Sequence, residues 1–115
     1  IIKASLEHCL PQNIDPKNWS CTKNQSESDI NRKVYSLGNF YITSTIDNTS
    51  YGNQCYKQKQ KLYKRDKLFD ILDTQKKTKK LSYKKVKDWT FSIIEQREKA
   101  IIELFKTKAI KSKKK

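Results

Sequence analysis

The chain is poor in the residues that punctuate loops and in those that usually do chemistry. It has two glycines, two prolines, no methionine and a single histidine, His8. So few breakers argue against a loop-dominated or low-complexity chain. Hydrophobic residues make up only 35% of 115 positions, enough for one domain with an economical core. No apolar run approaches the ~20 residues that cross a bilayer as a helix, so no membrane role is expected. Three cysteines, Cys9, Cys21 and Cys55, form no CxxC pair. A structural zinc site is therefore unsupported, and reduced thiols in a cytoplasmic protein are the expectation. Nothing near Ile1 resembles a secretion signal. Without an initiator methionine, the chain reads as a piece of a longer polypeptide.

What the chain does have is positive charge, +14 in total and unevenly spread. Residues 1–56 carry five basic and five acidic side chains, whereas residues 57–87 carry thirteen basic and three acidic. The last 28 residues carry eight basic and four acidic, ending in the tail 111–115. A neutral first half followed by a basic middle suits a polyanion binder, because phosphates gain from the charge and counterion release drives affinity. Solvated lysine faces would give the same composition.

Local patterns suggest an α+β order. Lys3 to His8 reads as a short strand in which Ala4 and Leu6 alternate with polar residues. Pro11, Pro16 and polar residues up to position 25 read as a loop around Trp19. Ser26 or Ser28 can cap a short helix to about Tyr35. Gly38-Asn39 is a turn signal ahead of a second strand, Phe40-Tyr41-Ile42-Thr43. Asn48, Thr49 and Ser50 suit a helix start, and Cys55, Tyr56, Leu62 and Tyr63 make an apolar stripe up to Arg65. Leu68 to Leu72 reads as a short helix and 75–80 as a basic loop. Ser82 is placed as the cap of the longest helix, whose apolar face runs from Val86 through Trp89, Ile93, Ile94, Arg97, Ile101 and Leu104 to Phe105. One domain over 1–110 plus the basic tail 111–115 is expected.

The informative residues are Glu7-His8-Cys9-Leu10-Pro11-Gln12, Leu37-Gly38-Asn39 and Asn48. Strand neighbours point to opposite faces, so Glu7 and His8 can serve one centre only where the strand ends. Alone, a Glu-His pair is weak evidence. Taken in order with the Leu-Gly-Asn turn, an Asn nine residues further on, Gly52-Asn53-Gln54-Cys55-Tyr56-Lys57-Gln58-Lys59, and the later Trp89, Ile94 and Arg97, it resembles the C-terminal nuclease domain of GmrSD-type restriction enzymes. Those are nucleases of the His-Me finger (HNH-like) superfamily that cut modified DNA. Cys9, Phe40-Tyr41 and Gly52 depart from the family pattern without removing a reacting group.

The resemblance implies a His-Me finger, or ββα-metal, core: a short β-hairpin plus helix, followed by further helices including a long C-terminal one. It implies a Mg²⁺-dependent (or Mn²⁺-dependent) HNH-type endonuclease that hydrolyses DNA phosphodiester bonds in phage defence, leaving 5′-phosphate and 3′-hydroxyl ends. His8, with an ordinary pKa near 6.5, would be the general base. Glu7 and Asn48 would be the hard oxygen ligands, with Asn53 as the alternative to Asn48. Asn39 would bridge the loop and orient His8. Lys57, Lys59, Lys61, Lys64 and Arg65 would grip DNA phosphates, and Arg97 would meet either a phosphate or a partner in the core. Tyr56, Tyr63 and Tyr83 are packing residues before they are stacking platforms. An upstream nucleotide-hydrolysing specificity domain or subunit is the expected partner, and a homodimer would supply two cutting sites. The alternatives are a non-catalytic basic nucleic-acid-binding module and a toxin-like or RNA-directed nuclease.

Overall fold

A computed structural model describes residues 3–113, with side chains described through Thr107; the end of the basic tail, residues 114 and 115, lies outside the described residues. Two strands, β1 (Ala4–His8) and β2 (Phe40–Ser44), pair antiparallel with His8 opposite Phe40, Leu6 opposite Ile42 and Ala4 opposite Ser44. Four α-helices accompany them: α1 (Glu27–Val34), α2 (Thr45–Tyr51), α3 (Tyr56–Arg65) and α4 (Phe91–Lys113). Short 3-10 turns at Ser20–Thr22, Leu37–Asn39, Ile71–Thr74 and Lys79–Leu81 carry the connections. The α+β reading and the long C-terminal helix are thus observed.

The two strands fit the sequence almost residue for residue, but the alternation of β1 is inverted. Leu6 is 50% exposed, while Glu7 is 3% exposed and faces the core opposite the buried Tyr41. With an apolar residue turned to solvent and a carboxylate turned inward, hydropathy alternation gives the wrong face. The reason is local: the core side of Glu7 holds a lysine and a tyrosine that satisfy it.

Helix boundaries follow capping chemistry. Ser26 caps α1 by accepting from Asp29 N, and Ser44 caps α2 by accepting from Asp47 N. The expected start at Asn48 is therefore corrected: α2 begins at Thr45, so Asn48 lies one turn inside. Gly52, with φ of +55°, ends α2, and a separate α3 begins after Cys55, so the single helix expected up to Arg65 is two. Leu68–Leu72 is not a helix; Asp70 accepts from Leu72 N and starts a 3-10 turn instead. Ser82 does not cap the long helix either. It accepts from Lys84 N in a local turn, and Thr90, accepting from Ile93 N, stands at the true start.

The main core gathers Cys9, Leu10, Trp19, Val34, Tyr41, Tyr51, Tyr56, Tyr63, Tyr83, Trp89 and Ile94 between the hairpin and the helices. Tyr56, Tyr63 and Tyr83 are all buried, so packing is their role. Gly38 is required by close approach, since a Cβ there would lie 2.1 Å from Ile94 O of α4. Arg97 lies in the core. It donates to Gly38 O at 2.7 Å, to Leu81 O at 2.7 Å and to Asp70 Oδ2 at 2.9 Å. One buried guanidinium thereby ties α4 to the turn before β2 and to the segment after α3. Among the described residues no helix is long and apolar enough to cross a membrane.

Candidate active site

β1 ends after His8 because of a side chain rather than a turn. Cys9 N donates to Asn39 O at 3.0 Å, and the Asn39 carboxamide then continues the ladder, accepting from Leu10 N at 2.8 Å and donating to Leu10 O at 2.9 Å. Its second N–H goes to Val34 O at 3.0 Å, and its oxygen also accepts from Trp89 Nε1 at 2.9 Å. Both donors and both acceptor positions of the amide are filled. Asn39 is fully buried and bridges the loop, fixing where the strand stops.

Beyond that point lies an open cleft of about 300 Å³, lined by Glu7, His8, Gln12, Thr45 and Asn48 among others. Its floor is the end of β1 and its wall is the first turn and a half of α2. Glu7, His8 and Asn48, chosen from two separate parts of the sequence pattern, line the same cleft. Asn53 is exposed and not part of its lining.

The His8 ring is half-buried and steered by packing. It sits edge-on to Phe40 with centroids 4.8 Å apart and to Tyr35 at 5.6 Å. Its hydrogen-bonded part is the backbone carbonyl, which accepts from Lys59 Nζ at 2.9 Å. Burial, aided by the positive charge of Lys59, lowers the imidazole pKa below 6.5. The ring is thus neutral, and able to accept a proton, at physiological pH.

Glu7 is held from the core side. Its Oε2 accepts from Tyr63 Oη at 2.5 Å and pairs with Lys59 Nζ at 3.0 Å. Neither bond uses Oε1, which takes no hydrogen bond from the described residues. Burial raises the carboxyl pKa above its ordinary value, against the pull of Lys59 and Tyr63. Asn48 is anchored through its nitrogen, which donates to Ser5 Oγ at 2.6 Å and Leu6 O at 3.0 Å. Those bonds leave Oδ1 uncommitted. One carboxylate oxygen and one amide oxygen, on residues lining the same cleft as His8, are therefore uncommitted, a donor set of the hard type that Mg²⁺ and Mn²⁺ take. Among the described residues no three His, Cys, Asp or Glu side chains cluster as a metal cage, so an ion here would keep most of its positions for water and phosphate. Cys9, next in sequence, is fully buried with its thiol pushed up to about 12, and takes no part.

The basic residues divide. Lys57, Lys61, Lys64 and Arg65 are exposed on α3, with the three lysines at helical spacing on one side and Arg65 turned onto Asp66 at 2.8 Å. Lys59 is 0% exposed, which corrects its expected place among the phosphate-gripping residues. Sequence reading missed it because a lysine in a lysine-rich helix looks like the rest. The usable signal was its step, three residues after Tyr56 and four before Tyr63, on the buried face.

A histidine, a carboxylate and a carboxamide thus share one solvent-open cleft on a small α+β scaffold. The chain belongs to the family described as GmrSD restriction endonucleases, C-terminal domain, whose model matches residues 2–104. No curated protein and no solved structure matches it.

Proposed function

We propose that this module is a divalent-metal-dependent, HNH-type DNA endonuclease with a His-Me finger core formed by β1, β2 and α2. In this reading it is the cutting part of a cytoplasmic bacterial restriction enzyme that acts on modified DNA in phage defence. The observation that carries it is that Glu7, His8 and Asn48 line one cleft, with Glu7 Oε1 and Asn48 Oδ1 outside the hydrogen bonds that anchor those side chains. Strand, strand and helix supply one residue set each: Glu7 and His8 from the end of β1, the bridging Asn39 just before β2, and Asn48 from α2.

Glu7 and Asn48 would hold Mg²⁺ or Mn²⁺, which supplies Lewis acidity for the charge developing on the leaving oxygen. His8, neutral and half-open to solvent, takes the proton from the attacking water. Phe40 and Tyr35 limit the ring's rotation, so the basic nitrogen keeps its aim. Asn39 acts at one remove by fixing the backbone on which His8 stands. Lys57, Lys61 and Lys64 meet the backbone phosphates flanking the cut, contacts that position DNA without reading its sequence. Discrimination of modified DNA is assigned to an upstream nucleotide-hydrolysing domain or subunit, and a homodimer would allow both strands to be cut.

The test is nicking of supercoiled plasmid with Mg²⁺ or Mn²⁺. Wild-type protein should nick, chelation should stop it, and His8→Ala should lower the rate about 10²–10⁴-fold, the usual contribution of a general base, while DNA binding persists. Equal cutting by wild type and His8→Ala would remove His8 from the mechanism. Preferential cutting of RNA under the same conditions would overturn the substrate.

A further inference from the structure

Among the charged side chains of α3 only one, that of Lys59, is buried, and it sits against the site. Lys59 is 0% exposed, and its ammonium makes three contacts: His8 O at 2.9 Å, Cys9 O at 3.1 Å and Glu7 Oε2 at 3.0 Å. An ammonium has three protons, so none is left over for a phosphate.

We propose that Lys59 is a positioning residue of this active site: it holds the Glu7 carboxylate by one oxygen, leaving the other for the ion, and pins the two carbonyls at the end of β1. The inference rests on the reading of Glu7 as a metal ligand and His8 as the base. Two donors, Lys59 and the Tyr63 hydroxyl at 2.5 Å, converge on the same atom, Oε2. A carboxylate gripped twice through one oxygen presents the other in a fixed direction, as the outer partners of metal ligands do. The Asn39 bridge holds Cys9 N and both backbone groups of Leu10, whereas the carbonyls of His8 and Cys9 accept from Lys59. An apolar side chain would fill the same space in the core without the desolvation that a buried ammonium suffers, so packing alone does not account for a lysine here.

The experiment compares Lys59→Met with Lys57→Met and Lys61→Met in three measurements: Mn²⁺ affinity by titration, the salt dependence of DNA affinity without metal, and the KM-against-kcat split of cleavage. Tyr63→Phe, which removes the other donor to Oε2 without changing charge, is measured alongside in case Lys59→Met does not fold. Loss of an outer partner typically weakens metal affinity or activity about 10- to 100-fold. Lys59→Met should therefore bind Mn²⁺ at least about 10-fold more weakly, with kcat lowered, KM for DNA unchanged and the salt slope intact; Tyr63→Phe should shift Mn²⁺ affinity in the same direction by less. Each of the two surface variants should instead lower the salt slope by about 0.9, the share of one phosphate contact. Unchanged Mn²⁺ affinity in both Lys59→Met and Tyr63→Phe would make the network merely structural. A lower salt slope in Lys59→Met would make the residue a phosphate ligand. A wild type that binds no Mn²⁺ is a different failure: it overturns the metal reading of Glu7, and this inference falls with it.

Discussion

Among the described residues two carboxylate-cation pairs are buried, and they differ in what they leave unfilled. Asp70 with Arg97 sits in the scaffold. Its Oδ2 accepts from Arg97 Nη1 at 2.9 Å, Tyr41 Oη at 3.2 Å and Tyr83 N at 3.2 Å, and its Oδ1 accepts from Leu72 N at 3.1 Å and Arg97 Nη2 at 3.4 Å. Both oxygens are saturated. Glu7 with Lys59 sits under the cleft, and all its partners crowd onto Oε2. A closed network fixes a fold; one with an acceptor left free has capacity for a further partner. Buried charge pairs are expensive to desolvate in either place, so the unfilled oxygen, rather than burial itself, distinguishes the pair to which we assign a function.

The comparison is sharpest if each acid is replaced by its amide. In Asp70→Asn the new NH₂ faces donors whichever way the amide is turned. The variant should lose about 3–5 kcal/mol, as when one member of a buried pair is removed, a large share of a typical domain stability of about 5–15 kcal/mol. In Glu7→Gln the carbonyl oxygen can keep the Oε2 contacts while the NH₂ turns to the cleft, so the loss should be about 1–3 kcal/mol while cleavage is abolished. Denaturant titration of both variants checks this, and a Glu7→Gln as unstable as Asp70→Asn would erase the distinction.

A smaller effect separates the regions by pH. Burial first, and the charge of Lys59 second, depress the His8 pKa, so the neutral base persists below the ordinary value of about 6.5. The acid limb of kcat/KM should have its midpoint below that value, and a cation in the cleft would push it the same way. The corresponding stability term has a defined sign: below about pH 6.5 the unfolded chain takes up the proton more readily, so stability falls as pH drops through that range. A midpoint above 6.5 would show that the ring is stabilised in its charged form. The smallest effect belongs to the surface: at low salt Lys64→Ala should weaken DNA binding only modestly and leave kcat alone, because a single exposed lysine supplies one screened phosphate contact.

Much of the site was legible and much of its support was not. His8, Glu7, Asn39 and Asn48 could be picked out because their residue types and order match a motif, and the structure brings Glu7, His8 and Asn48 to one cleft with Asn39 bridging behind it. The strands were legible because aromatic and β-branched residues cluster there. Two helix entries were misplaced where cap-competent residues competed: Ser44 against Asn48, and Thr90 against Ser82. Which serine caps depends on the chain's tertiary path, which local pattern does not contain. The inverted face of β1 and the burial of Lys59 failed for one shared reason. Each looks unfavourable alone and becomes favourable only when residues 7, 59 and 63, far apart in sequence, are placed together.

The central claim is that a carboxylate oxygen of residue 7, an amide oxygen of residue 48 and the imidazole of residue 8 surround one divalent ion. A crystal structure with Mn²⁺, read by anomalous scattering, tests it directly. The account predicts an ion about 2–2.6 Å from Glu7 Oε1 and Asn48 Oδ1, with Oε2 still on Lys59 and Tyr63 and the His8 ring beside it. An ion bound elsewhere, or a fully occupied crystal with none in the cleft, would contradict it.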